Sequence, residues 1–170
     1  MNQRIILGID PGFVACGYAI MRSGPGATGV KKTELIEYNA LVMSSQQSIP
    51  ERLALFFDFF QAKMTQYQVT ELALETPFLG KNAQNFLKLG YLRGILLLLA
   101  QKQGCSVREF APRQVKLAVT GYGAAEKEQV ARVVQRLFPG MILPAKLDIS
   151  DAVAVALCCL WDQSQLSGLR

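Results

Sequence analysis

The hydrophobic period of this chain changes near residue 49, and that change constrains its fold more than any other feature. Before it, Arg4–Ile9, Gly17–Met21 and Thr33–Met43 are apolar, β-branched runs punctuated by Asp10-Pro11-Gly12 and Gly24-Pro25-Gly26. Pro fixes φ and Gly permits a reversal, so each punctuation reads as a turn. Three strands joined by short turns form an antiparallel meander. After the change, Leu53, Phe56, Phe57, Phe60 and Met64 recur at helical spacing, with Pro50 suited to the first turn.

The rest of the chain alternates. Val69–Glu75 is a short strand broken by Thr76-Pro77, Asn82–Gln103 a leucine-rich helix closed by Gly104, and Cys105–Phe110 a further strand. Pro112–Val119 reads as a short helix, Gly121–Gly123 as a loop, and Ala124–Leu137 as a helix ended by Pro139-Gly140. Met141–Leu147 is expected to be loop, Asp148–Trp161 an apolar helix, and 163–170 a frayed tail. No repeat or linker interrupts this order, so residues 1–170 are expected to form one domain. The expected architecture is α/β: a mixed five-stranded sheet with helices on both faces, in the element order of the ribonuclease H-like fold. An ordinary doubly wound α/β domain is the alternative.

Composition narrows the chemistry. Histidine is absent, which excludes a His base, a Ser-His or Cys-His nucleophile and a His-ligated zinc. Cys16, Cys105, Cys158 and Cys159 have no paired metal-ligand spacing and read as small buried residues of a reducing cytoplasm. The first strand runs straight into Asp10-Pro11-Gly12 without a cleavage site, and the longest apolar run, Ala152–Trp161, is too short to span a bilayer. A cytoplasmic protein is therefore expected. Lys and Arg number 18 against 13 Asp and Glu, a net +5 that favours a polyanionic partner.

Four acids have places where chemistry could gather. Asp10 ends the first strand, Glu75 ends the fourth, and Asp148 and Asp151 share a helix face at i and i+3. Like charges a few Å apart raise one another's pKa, and a hard divalent cation resolves the conflict. Two Mg²⁺ ions about 3.5 to 4 Å apart could polarise a phosphate and activate water without histidine. Each acid also has a plain structural reading. Asp10 is a turn former, Glu75 a strand end meeting solvent, and Asp148 a helix cap with Asp151 as its partner. Arg113, Lys116 and Lys127 could hold phosphates or form a solvated basic face, and Phe78 could be a wedge or a core residue. Gly90 and Gly94 permit close approach, by the sheet or by a second copy of the same helix.

Taken together, Ile6-Leu7-Gly8-Ile9-Asp10-Pro11-Gly12 with Gly17-Tyr18, Leu74-Glu75 with Phe78 and Lys81-Asn82-Ala83, Arg113-Gln114-Val115-Lys116, Gly123 with Ala125-Glu126-Lys127, and Asp148-Ile149-Ser150-Asp151-Ala152 resemble, in order, the RuvC family of Holliday junction resolvases. The resemblance implies that Asp10, Glu75, Asp148 and Asp151 coordinate Mg²⁺ or Mn²⁺, with Lys116 and Lys127 in DNA binding and catalysis. It further implies DNA contacts by Phe78, Lys81 and Arg113. Some members carry His at the position of Asp148. A homodimer would present two sites to a four-way junction and nick opposed strands symmetrically, in cooperation with a RuvA/RuvB-type branch-migration complex, in recombination and repair. Phe13, Thr76-Pro77 and the longer hairpin loop at 24–29 depart from the family pattern without touching an acid. Competing readings are an actin-like or sugar-kinase-like ATP-binding domain, for which one domain is too little, a non-catalytic junction-binding module, and a related RNA nuclease.

Overall fold

A computed structural model describes residues 3–25, 31–76, 82–142 and 148–162, with the main chain alone for Lys31 and Asp148. Three strands, β1 (Arg4–Asp10), β2 (Ala15–Pro25) and β3 (Lys31–Val42), open the chain, followed by α1 (Ile49–Tyr67), β4 (Glu71–Glu75), α2 (Ala83–Gln103) and β5 (Ser106–Phe110). Helices α3 (Pro112–Thr120), α4 (Lys127–Leu137) and α5 (Asp148–Trp161) complete it. The sheet order is β3-β2-β1-β4-β5, with β1–β2 and β2–β3 antiparallel and β1–β4 and β4–β5 parallel. This is the mixed five-stranded sheet expected from the element order.

Strand alternation divides the core. Ile5, Leu7 and Ile9 of β1 pack with Phe56, Phe60 and Met64 of α1 and Leu92, Leu96 and Leu99 of α2. Ile6 packs on the opposite face with α5, whose residues Ala152 to Leu160 are all buried beneath α3 and α4. An apolar helix of this kind needs cover on every side. Among the described residues no helix is long and apolar enough to cross a membrane.

Local signals account for most boundaries. Ser48 and Glu51 form a reciprocal cap at the start of α1, and Asn82 accepts from the Asn85 amide at 3.0 Å to start α2. Strands β2 and β3 run further than their apolar cores suggest, because antiparallel pairing carries the polar residues Arg22 and Glu34 opposite one another. Helix α4 starts at Lys127 rather than at the expected Ala124. Glu126 is extended (φ −73°, ψ 158°), its amide is taken by the Gln129 side chain at 2.8 Å, and the Ala125 amide closes a turn on the Tyr122 carbonyl at 3.1 Å. Of the hairpin loop expected at 24–29, Gly24 and Pro25 instead continue β2, where they pair with Lys32 and Lys31 of β3; residues 26–30, 143–147 and 163–170 lie outside the described residues.

Candidate active site

Strands β1 and β4 run parallel, and their pairing stops at Ile9–Leu74. Asp10 and Glu75 each follow by one residue, so two carboxylates from strands 65 positions apart in sequence reach the same edge of the sheet. Gly12 then lets the chain turn tightly, since a Cβ there would lie 1.9 Å from the Ala15 carbonyl oxygen. The third carboxylate comes from α5. At Gly8 a Cβ would stand 2.4 Å from the Ala152 carbonyl oxygen and 2.7 Å from the Ala156 Cβ, so only glycine lets α5 lie this close to β1. That approach brings Asp151, in the first turn of α5, to the strand ends.

Asp10, Glu75 and Asp151 line one cavity of about 230 Å³ together with Lys116 and Lys127. Pro112, Val115, Val130 and Ala154 form its apolar walls. These walls matter electrically. Burial pushes the Glu75 carboxyl above its ordinary 4.5, and the Asp151 charge pushes it in the same direction, with Lys127 and Lys116 offsetting part of the rise. Lys127 reaches in from solvent and donates from Nζ to Asp151 Oδ2 at 2.6 Å, its side chain 56% exposed against 16% for Asp151.

These donors suit a hard divalent cation: they are carboxylate oxygens only, they repel one another, and one of them already attracts an ammonium. Among the described residues no three acids, cysteines or histidines close into a ready-made cage. An open edge is consistent with Mg²⁺, which keeps waters and substrate oxygens and takes only one or two carboxylates from the protein. Asp148 is the first helical residue of α5, three before Asp151, and its side chain lies outside the described residues.

The remaining sequence candidates divide. Lys116 and Lys127, from α3 and α4, meet at the cavity. Arg113 does not line it, and packs instead against Gly123, where a Cβ would come within 2.8 Å of its Cγ. Phe78 and Lys81 lie outside the described residues. Phe13 is a core residue, 8% exposed, with the Arg52 guanidinium 5.1 Å above its ring. Its departure from the family pattern is therefore a matter of packing. Gly90 and Gly94 do not serve contact with the sheet, because a Cβ at either would meet nothing within 4 Å. One contact escaped the sequence reading: Arg93 of α2 donates to the main-chain carbonyl of Glu75 at 2.9 Å. The available signal was that Arg93 is the only charged residue between 89 and 101 of a leucine-rich helix.

Comparison with known proteins places the chain in a family. The family model described as Crossover junction endodeoxyribonuclease RuvC matches residues 6–159. Proteins of that name from Chloroherpeton thalassium and Heliobacterium modesticaldum are each 38% identical over 91% of this chain, covering 80% and 93% of their own lengths. The solved structure of Thermus thermophilus RuvC in complex with a Holliday junction substrate superposes with a TM-score of 0.80 at 28% identity, covering 91% of this chain and 92% of that one. The fold is thus ribonuclease H-like, and the chain belongs to the RuvC family of crossover junction endodeoxyribonucleases.

Proposed function

We propose that this protein is a metal-dependent, structure-selective endonuclease that resolves four-way (Holliday) DNA junctions by paired symmetric nicks during recombination and repair. The observation that carries the proposal is the convergence of Asp10, Glu75 and Asp151 with two lysines in one cleft. Family membership names the reaction that such a cleft performs.

In this reading Asp10, Glu75, Asp148 and Asp151 hold Mg²⁺, two ions per site, with Mn²⁺ able to substitute. A divalent ion held there would supply Lewis-acid polarisation of the scissile phosphodiester and a water activated near neutral pH. The protein's own residues do the positioning. The apolar walls lower the local dielectric around the acids, so charge interactions in the cleft are stronger than in solvent. Lys116 neutralises a phosphate oxygen. Lys127, whose exposed ammonium donates to Asp151, sits where it can also meet the DNA backbone. Arg113, Phe78 and Lys81 extend the DNA contact, with Phe78 as a wedge against an unstacked base.

A single nuclease domain carries one site, and paired nicks need two, so the chain works as a homodimer. Leu87, Tyr91 and Leu98 are exposed on α2, on the same side as the uncovered Gly90 and Gly94. That stripe would admit the same helix of a second copy. The working place is the cytoplasm, beside a RuvA/RuvB-type branch-migration complex.

The deciding experiment is cleavage of a labelled synthetic four-way junction and of linear duplex, with Mg²⁺ or with EDTA, by the wild type and Asp10→Asn. The expected result is paired nicks confined to the junction, abolished by EDTA and by the substitution, with junction binding retained. Tight binding without cutting at any sequence tested would indicate a binding module, and equal action on duplex would remove the junction claim.

A further inference from the structure

The main chain at Glu75 is fixed by a residue that stands outside the cleft. Arg93, midway along α2, has a side chain only 14% exposed. Its Nη1 donates to the Glu75 carbonyl oxygen at 2.9 Å, and its Nη2 donates to Oε1 of Glu109 on β5. The sheet supplies no equivalent. Pairing with β1 has ended at Ile9–Leu74, while on the β5 side the next residue, Thr76, donates its amide to the Phe110 carbonyl at 2.9 Å. The residue of the β1 side that would next meet the Glu75 carbonyl is Pro11, which has no N–H to give, and Arg93 supplies the donor instead.

We propose that Arg93 is a positioning residue for the acidic centre: it fixes the Glu75 peptide from helix α2 and thereby sets where the Glu75 carboxylate points. The inference rests on the reading of the cleft as a metal-dependent nuclease site. Arginine suits the task because its planar fork presents donors in two fixed directions at once, one to a carbonyl and one to a carboxylate. A nearly buried charge in a leucine-rich helix is expensive unless both ends are satisfied, and here they are. Arg93 reaches neither the carboxylates of the cleft nor the phosphate site. Its effect must pass through Glu75.

The test uses the full-length protein as Arg93→Met, Arg93→Lys and Glu109→Gln. Three quantities are read: Mn²⁺ affinity without DNA by electron paramagnetic resonance, junction affinity in EDTA, and the separate kcat and KM for junction cleavage. Outer groups that orient metal ligands typically change affinity or activity by about 10- to 100-fold. Arg93→Met is expected to lose Mn²⁺ affinity and kcat in that range with junction affinity and KM unchanged. Arg93→Lys should recover part of the loss, since one ammonium can still reach the carbonyl, and Glu109→Gln should show a smaller loss of the same kind. Unchanged Mn²⁺ affinity and kcat in the folded variants would overturn the proposal, as would a loss confined to KM. If Arg93→Met does not fold, the lysine and Glu109→Gln variants decide by the same split. A wild type that neither binds Mn²⁺ nor cuts junctions would bring down the nuclease reading and this inference with it, whereas a wild type that cuts beside unaffected variants removes the inference alone.

Discussion

Glu71 and Glu75 stand at opposite ends of β4, on one face of the strand, and the protein treats them in opposite ways. Both lie under α5. Burial alone would raise the Glu71 carboxyl, but two bonds from Arg4, at 2.5 and 2.8 Å, together with its charge, a bond from the Cys159 thiol and the charge of Arg108, hold the group below its ordinary 4.5. The same guanidinium donates to the carbonyls of Cys159 and Leu160, at the end of α5 where the helix dipole favours a cation. Glu75 has the reverse surroundings: burial and Asp151 raise it, and the lysines that offset the rise leave it above 4.5. The acids gather at the first turn of α5, where the dipole favours anions. At one end of the layer a two-pronged counter-ion overcomes burial, and at the other, two lysines offset only part of the rise.

The strongest way to break this comparison is to neutralise each glutamate in turn. Glu75→Gln should reduce junction cleavage by roughly three orders of magnitude, the scale of losing a principal transition-state charge interaction, without lowering thermal stability. Glu71→Gln should do the opposite. It strands Arg4 beneath α5 and should lower the unfolding free energy by about 2 to 3 kcal/mol, less than for a fully buried pair because the Arg4 side chain is 27% exposed. Cleavage rates beside urea denaturation of both variants read the two effects. If Glu71→Gln abolished cleavage while leaving stability intact, the division between a structural and a functional end would be wrong.

Gly8→Ala acts on both ends together. The added Cβ meets the Ala152 carbonyl at 2.4 Å, and backbone cannot yield as a side-chain tip can, so α5 must lift. Overpacking of this kind costs about 1 to 3 kcal/mol. Asp151 adjoins Ala152, so a lift also draws its carboxylate from Asp10 and Glu75, and cleavage should fall by about 10- to 100-fold with junction binding kept. A variant with wild-type activity and stability would show that the close approach of α5 does not set the site.

Much of this was legible in the sequence because strand ends announce themselves. Asp10 precedes Pro11-Gly12 and Glu75 precedes Thr76-Pro77, so the alternation of short strands with turn chemistry located both acids before any pairing was known. Pairing was the missing step, since nothing local says that β1 lies beside β4 or that the two stop at Ile9–Leu74. The apolar walls were hidden for the same reason: Val115 and Val130 belong to helices that look amphipathic for ordinary packing. Phe13 was legible only as a departure from the family pattern, because its packing depends on Arg52, 39 positions away, lying over its ring. Arg93 was visible only as an isolated charge. Its meaning depends on a carbonyl 18 positions away.

The smallest expected effect, and the most direct reading of the contrast, is the pH dependence of stability in EDTA. Glu75 is raised when folded, so the native chain keeps its proton where the unfolded chain has lost it. Its contribution is full below the unfolded pKa and disappears as pH rises through the folded value. Glu71 is lowered, so its contribution is present above the unfolded pKa and disappears as pH falls through the folded one. Urea unfolding between pH 4.5 and 8 should therefore show the wild type losing ground to Glu75→Gln as pH rises, while its advantage over Glu71→Gln holds steady. Added Mg²⁺ near neutral pH should return the loss to the wild type more than to Glu75→Gln, because a ligand that binds only the folded state stabilises it by mass action. Parallel curves for the wild type and Glu75→Gln would mean that Glu75 is satisfied within the protein, as Glu71 is, and that the acidic edge does not depend on an external cation.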